Sequence, residues 1–212
     1  MNDMISADTL TFHEFIMSEK LTLATIHNAV LEFLKGREDT VLIGAYAVNA
    51  YVSEPRMTQD IDLLSTHAEY IAQQLRRYLN QKFHIAIRVK KIGEGRGYRL
   101  YQVRKSGNRH LVDVRSVKTL PLTQRIGKIL VMAPIDLIAS KVISYYHRLG
   151  QPKSGTDWRD IAMLLLTFPD LKSEAGPVID QLKAAGVEQN ILDVWKQMIT
   201  QEIRLPEEDD EF

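Results

Sequence analysis

IGAYAVNAYVSEPRMTQDIDLL, residues 43–64, places a glycine after an apolar stretch, then small and apolar residues, a proline, and two aspartates in alternate positions. Thr40–Ile43 predicts a short strand, and Gly44 opens a helix over Ala45–Val52 that packs closely behind it. Pro55 breaks that pattern, and the chain re-enters as a strand running through Leu64. Side chains alternate across a strand, so Arg56, Thr58, Asp60 and Asp62 are expected on one face and Ile61 and Leu63 on the other, in the core. Two carboxylates placed side by side repel each other, and partial burial sharpens the conflict, so the pair calls for a cation. Hard oxygen donors suit magnesium, which takes one or two carboxylates and completes its shell with phosphate oxygens and water. Arg56 and Thr58 are placed to orient the aspartates, and the backbone N–H groups at Gly44 and Ala45 suit an anion.

Upstream, Leu23, Ile26, Val30, Phe33 and Leu34 recur at helical spacing, and Gly36 ends that helix. Downstream, a helix over about His67–Asn80 leads to three strands, Phe83–Lys91, Tyr98–Lys105 and Arg109–Val114, and then to Ile129–Met132. The segments GEGRG and SGN between the first three read as hairpin turns; Gly93–Gly97 opens no helix and is not a phosphate loop. Beyond Pro134 the character becomes helical: Ile135–Leu149, Trp158–Phe168, Glu174–Ala185 and Glu188–Ile203. The expected fold is α+β, a mixed sheet with flanking helices over residues 1–133 followed by a helical lobe over 134–212.

The chain of 212 residues has no Cys, which excludes disulfides, a thiol nucleophile and Cys-ligated zinc. No apolar run approaches the roughly 20 residues that span a bilayer, and MNDMISADTL lacks a basic, apolar leader. The expectation is a soluble cytoplasmic protein with no membrane partner. The formal net charge of zero conceals a segregation: residues 76–128 hold 15 Lys and Arg against 2 Asp and Glu, and the opposite surplus lies elsewhere. A block of that sign suits an anionic partner such as RNA, or faces the acidic remainder of its own molecule. His84, His110 and His147 have no metal-ligand spacing and read as structural or solvated. The acidic run Glu207–Glu211 reads as a frayed end.

The strand, glycine turn, helix and D-x-D strand of residues 40–65 resemble the nucleotidyltransferase superfamily. The wording of residues 43–64 is similar to its AbiEii-like, abortive-infection branch, whose pattern is G-G-x-A followed by R-x-T-x-D-[ILV]-D. Ala45 departs from the Gly or Ser usual at that turn and removes a hydroxyl contact to phosphate, leaving an inactive nucleotide- or RNA-binding module as the alternative. The resemblance implies a toxin-type enzyme that moves a nucleoside monophosphate from an NTP to a hydroxyl acceptor, RNA such as tRNA among them, with an antitoxin protein as a possible partner. It implies two Mg2+ ions on Asp60, Asp62 and Asp113, the last from HLVDVRSV, where Asp113 also assists the attacking hydroxyl. Gly44, Ala45, Arg56 and Thr58 belong to the nucleotide side. APIDLIASKVISYYHR and TDWRDIAMLL resemble the helical lobe of that branch, so Lys141 is expected to balance triphosphate charge, with Asp157 or Asp160 as the recurrent acid. Asp157 also reads as the N-cap of a helix beginning at Trp158.

Overall fold

The computed structural model describes residues 21–204; the N-terminal segment and the Glu207–Glu211 run lie outside them. The elements are α1 (Leu23–Leu34), β1 (Thr40–Ile43), α2 (Gly44–Asn49), β2 (Ile61–Ser65), α3 (Ala68–Phe83), β3 (Ile87–Ile92), β4 (Gly97–Gln102), β5 (Arg109–Ser116), β6 (Thr123–Ile126), β7 (Ile129–Met132), α4 (Pro134–His147), α5 (Pro152–Thr167), α6 (Pro177–Ala184) and α7 (Gln189–Thr200). The chain divides into two compact units interleaved in sequence. The first takes the described residues up to Thr40 with 59–118 and 127–129; the second takes 41–58, 119–126 and the chain from Leu130 onward.

In the first unit four strands lie in the order β3-β4-β5-β2. β3 and β4 form an antiparallel hairpin, β4 pairs antiparallel with β5, and β5 runs parallel to β2. Helix α3 buries Ala68, Ile71, Ala72, Leu75 and Leu79, whose spacing of three and four makes one apolar stripe. That stripe packs on β3, β4 and β5, where Leu100, Val112 and Val114 are fully buried. Ile61 and Leu63 of β2 are likewise buried. Side chains of opposite parity stand on the other face of the sheet, among them Asp62, which pairs in register with Asp113, which in turn lies opposite Arg99.

In the second unit β1 runs parallel to β7, and β6 flanks β7. Pro134, with its fixed φ and no N–H to satisfy, starts α4 directly after β7. From there all described elements are helical. Helix α4 contacts α5, α6 and α7, and buries Leu137, Ile138 and Val142. Fully or almost fully buried Leu164, Leu182 and Trp195 come from the other three helices. Among the described residues no helix is long and apolar enough to cross a membrane.

Three elements depart from the sequence expectation. The strand expected from Arg56 starts only at Ile61, because the Asn49 carboxamide takes up the Arg56 backbone: its Nδ2 donates to Arg56 O at 2.8 Å, and Arg56 N donates to Asn49 Oδ1 at 3.0 Å. A backbone so engaged has no N–H or C=O left for a ladder. Helix α5 starts six residues before Trp158, at Pro152, so Asp157 is inside it and is no N-cap. Strand β6, four residues with no buried side chain, gave no apolar pattern to read.

Candidate active site

Within the first unit, the face of the sheet opposite α3 gathers three carboxylates and three basic side chains. Asp113 on β5 is 4% exposed and would be costly there without partners. Arg99 supplies two of them, Nε to Oδ1 at 2.6 Å and Nη2 to Oδ2 at 2.7 Å, the bidentate fork of guanidinium on carboxylate. His110 adds a third, its Nε2 lying 2.9 Å from Asp113 Oδ1. The other ring nitrogen, Nδ1, is 3.2 Å from Asp60 Oδ2, so one imidazole links Asp60 to Asp113. Asp62, in register with Asp113, has Arg115 at 3.6 Å.

The electrostatics follow from this arrangement. Burial alone would push the Asp113 carboxyl up, but the hydrogen bonds and charges of His110 and Arg99 outweigh it and hold the group well below the usual carboxylate range. The bonds to Asp113 and then Asp60 raise His110 to about 9 against the opposing effect of burial, so the ring is an imidazolium at neutral pH. On α1, burial drives His27 down to about 4 against the opposing charge of Asp60, and it is neutral. The ligand atoms of Asp60, His110 and Asp113 lie within 4.8 Å of one another. That group offers two carboxylate oxygens and one ring nitrogen, a donor set open to a divalent cation.

The second unit carries its own charged network. Asp160 on α5 is fully buried and is shared by two cations: Arg56 holds it through Nε to Oδ1 at 2.6 Å and Nη2 to Oδ2 at 2.8 Å, and Lys141 Nζ on α4 lies 2.7 Å from Oδ2. Burial pushes the Asp160 carboxyl up, yet Arg56 and Lys141 reverse the shift and keep it ionised. Lys141 also reaches Asp157 Oδ1 at 3.3 Å, and Arg148 Nη1 meets Asp157 Oδ2 at 2.7 Å. In the same unit Gly44 has φ +67°, in the left-handed region that favours glycine, at the join of β1 and α2.

The residues singled out in the sequence thus fall into two groups. Asp60, Asp62 and Asp113 belong to the first unit, and the structure gathers them with His110, Arg99 and Arg115. Gly44, Ala45, Arg56, Thr58 and Lys141 belong to the second. Arg56, expected to orient the aspartate pair, has its guanidinium bonded to Asp160. Sequence reasoning passed over His110, because in a regular strand residues 110 and 113 face opposite ways. A β-bulge corrects the parity: Leu100 pairs with Val112 and Tyr101 with His110, leaving Leu111 extra. Arg99 was missed for a related reason, since only the cross-strand register brings it opposite Asp113.

The chain matches the family model described as nucleotidyl transferase AbiEii toxin, type IV toxin–antitoxin system, over residues 29–209. No curated protein matches it. Among solved structures it is similar to the Megavirus polyadenylate synthase, with TM-score 0.57 and 12% identity over 80% of this chain and 38% of that one. It therefore spans well under half of that enzyme. It is also similar to JHP933 from Helicobacter pylori, with TM-score 0.51 and 12% identity over 84% of this chain and 88% of that one. At these identities the likeness is one of fold.

Proposed function

The chain belongs to the AbiEii family of nucleotidyl transferase toxins, and from that premise we propose that it moves a nucleoside monophosphate from an NTP to a hydroxyl acceptor on RNA, with magnesium held by Asp60, Asp62 and Asp113. The observation that carries this reading is the convergence of the three carboxylates on one sheet face: Asp62 beside Asp113 in register, and Asp60 joined to Asp113 through His110. Two magnesium ions, as in other two-metal sites, would supply Lewis-acid stabilisation of the charge that develops on the attacking and leaving oxygens.

The chain's own residues do the rest. Ile61 and Leu63, buried on the opposite face of β2, fix the strand that carries Asp62. The proton of the attacking hydroxyl would go to Asp113 once Arg99 or His110 gives up one of its oxygens, since both oxygens accept from those side chains here. On the nucleotide side, Gly44 and Ala45 contribute backbone N–H groups and Thr58 a hydroxyl, whereas Arg56 and Lys141, expected to balance the triphosphate, are ion-paired with the buried Asp160. The basic surplus of residues 76–128 favours RNA, such as a tRNA end, over a cationic small molecule. An antitoxin partner and a cytoplasmic setting accord with the family.

A second reading is a module that binds nucleotide or RNA without transfer. It is favoured by Ala45 in the turn and by the cationic partner that each of Asp60, Asp62 and Asp113 already has. Asp113→Asn separates the two. On the transferase reading the variant binds NTP with the wild-type affinity, measured calorimetrically, and loses transfer of label from NTP to RNA. Turnover unchanged in Asp113→Asn contradicts the role given to that carboxylate.

A further inference from the structure

The sheet face that holds the carboxylates of the first unit continues toward the edge strand β3, and strand register fixes what stands there. Arg88 pairs with Tyr101 and Tyr101 with His110, so these three side chains form one row across β3, β4 and β5. Lys90, Arg99 and Asp113 form the next. Paired residues share a face, and this one lies opposite α3, because Tyr98, of the other parity, reaches Glu69 of that helix. Arg88 and Lys90 are exposed, and among the described residues neither has an ion-pair partner. Arg99, by contrast, is committed to Asp113 and to the Tyr101 hydroxyl. Tyr101 is half-buried, its ring centroid 5.4 Å from that of His110, which contacts Asp60 and Asp113. An aromatic ring thus stands one residue away from the carboxylates. Val103 follows on the same side of the chain, its N–H donating to Ala86 O at 2.9 Å, and is 42% exposed. Residues 84–112 contain eight Lys and Arg against one acid, Glu94.

Exposed cations beside an aromatic and an apolar side chain suit a single-stranded nucleic acid, whose phosphates track the cations while its bases stack on rings. A duplex keeps its bases in its own stack and has none to lay on Tyr101. Resting on the reading of RNA as the acceptor, we propose that this face of β3 and β4 seats an unpaired RNA end, one base stacked on Tyr101 against Val103 and the backbone running along Arg88 and Lys90. The seat adjoins the carboxylates through His110, so an end held there brings its hydroxyl toward them. The acceptor class is accordingly a single strand or an unpaired overhang.

The test measures binding by the full chain without NTP or divalent ion, which keeps it separate from transfer. The probes are a short labelled RNA oligonucleotide of mixed sequence and the same strand annealed to its complement. The single strand is expected to bind more tightly than the duplex. Tyr101→Ala should weaken that binding about tenfold with an unchanged salt slope, Tyr101→Phe should bind as wild type does, and Arg88→Gln with Lys90→Gln should make the slope shallower. Equal affinity for duplex and single strand overturns the proposal, as does wild-type affinity in Tyr101→Ala or an absence of binding. A measurement on the wild type alone guards against misfolded variants: RNA carrying 5-iodouridine should cross-link to Tyr101 on irradiation, and cross-links confined to other residues overturn the proposal. Label transferred to RNA by the wild type despite any of these failures would leave the transferase reading standing. Binding at Tyr101 without transfer would keep the seat and remove that reading.

Discussion

At the scale of single residues, buried charge is tolerated here only where partners surround it. Asp160, fully buried between Arg56 and Lys141, shows the size of the effect. Replacing it with Asn leaves two cations facing a neutral amide, and breaking a buried pair from one side typically costs about 3–5 kcal/mol. The unfolding midpoint of Asp160→Asn in urea is expected to fall accordingly; a shift under about 1 kcal/mol would show that Arg56 and Lys141 find other partners. His27 yields a pH dependence of definite sign. Burial holds it below its ordinary value of 6.5, at about 4, so the stability gained by keeping it neutral is complete above 6.5 and is lost as pH falls through 4. Urea midpoints measured from pH 7 to pH 4.5 should therefore drop more steeply for the wild type than for His27→Gln. Parallel curves would contradict the burial argument. Asp60 and Asp62 were singled out in the sequence by alternation and the D-x-D spacing, and Asp113 by the family resemblance. His110 and Arg99 were not, since a bulge and a cross-strand register, set by tertiary pairing, bring them to the same face.

At the scale of elements, two local devices shape the segments around the carboxylates. Asn49 closes on the Arg56 backbone with a donor and an acceptor in one plane, which aspartate cannot reproduce and alanine lacks. Asn49→Ala should speed hydrogen exchange at the Arg56 amide and cost about 1–2 kcal/mol; exchange at the wild-type rate would mean that the clamp does not hold the loop. Gly97 is the other device. A Cβ there would stand 2.7 Å from Val114 O and 3.2 Å from Arg115 Cα, both backbone atoms that cannot turn aside. Gly97→Ala is therefore expected to push β4 off β5 and lower stability by about 1–3 kcal/mol in thermal unfolding. The strand–helix order was readable from periodicity, as α3 and the β3–β4 hairpin show. The extended start expected at Arg56 was not, because a side-chain clamp won over alternation. Asp157 was misplaced for the same kind of reason: the helix signal in Pro152, at its first turn, was weaker on the page than the Asp-Trp pair.

At the scale of the molecule, charge is sorted along the chain. The basic surplus of residues 76–128 includes Arg88 and Lys90, both exposed on β3, the edge strand of the first unit. If RNA is the acceptor, the double variant Arg88→Glu, Lys90→Glu should bind it more weakly and with a shallower dependence on salt, read from filter binding at several ionic strengths. An unaltered salt slope would place the acceptor elsewhere. The chain belongs to the AbiEii nucleotidyl transferase family, and the central claim is that the proposed transfer chemistry depends on the carboxylates of the sheet face. The most direct test supplies each α-labelled NTP in turn with magnesium and total RNA to wild type and to Asp60→Ala. The account predicts label on RNA with at least one NTP for the wild type and none for Asp60→Ala, whereas label transferred equally by the variant would contradict it.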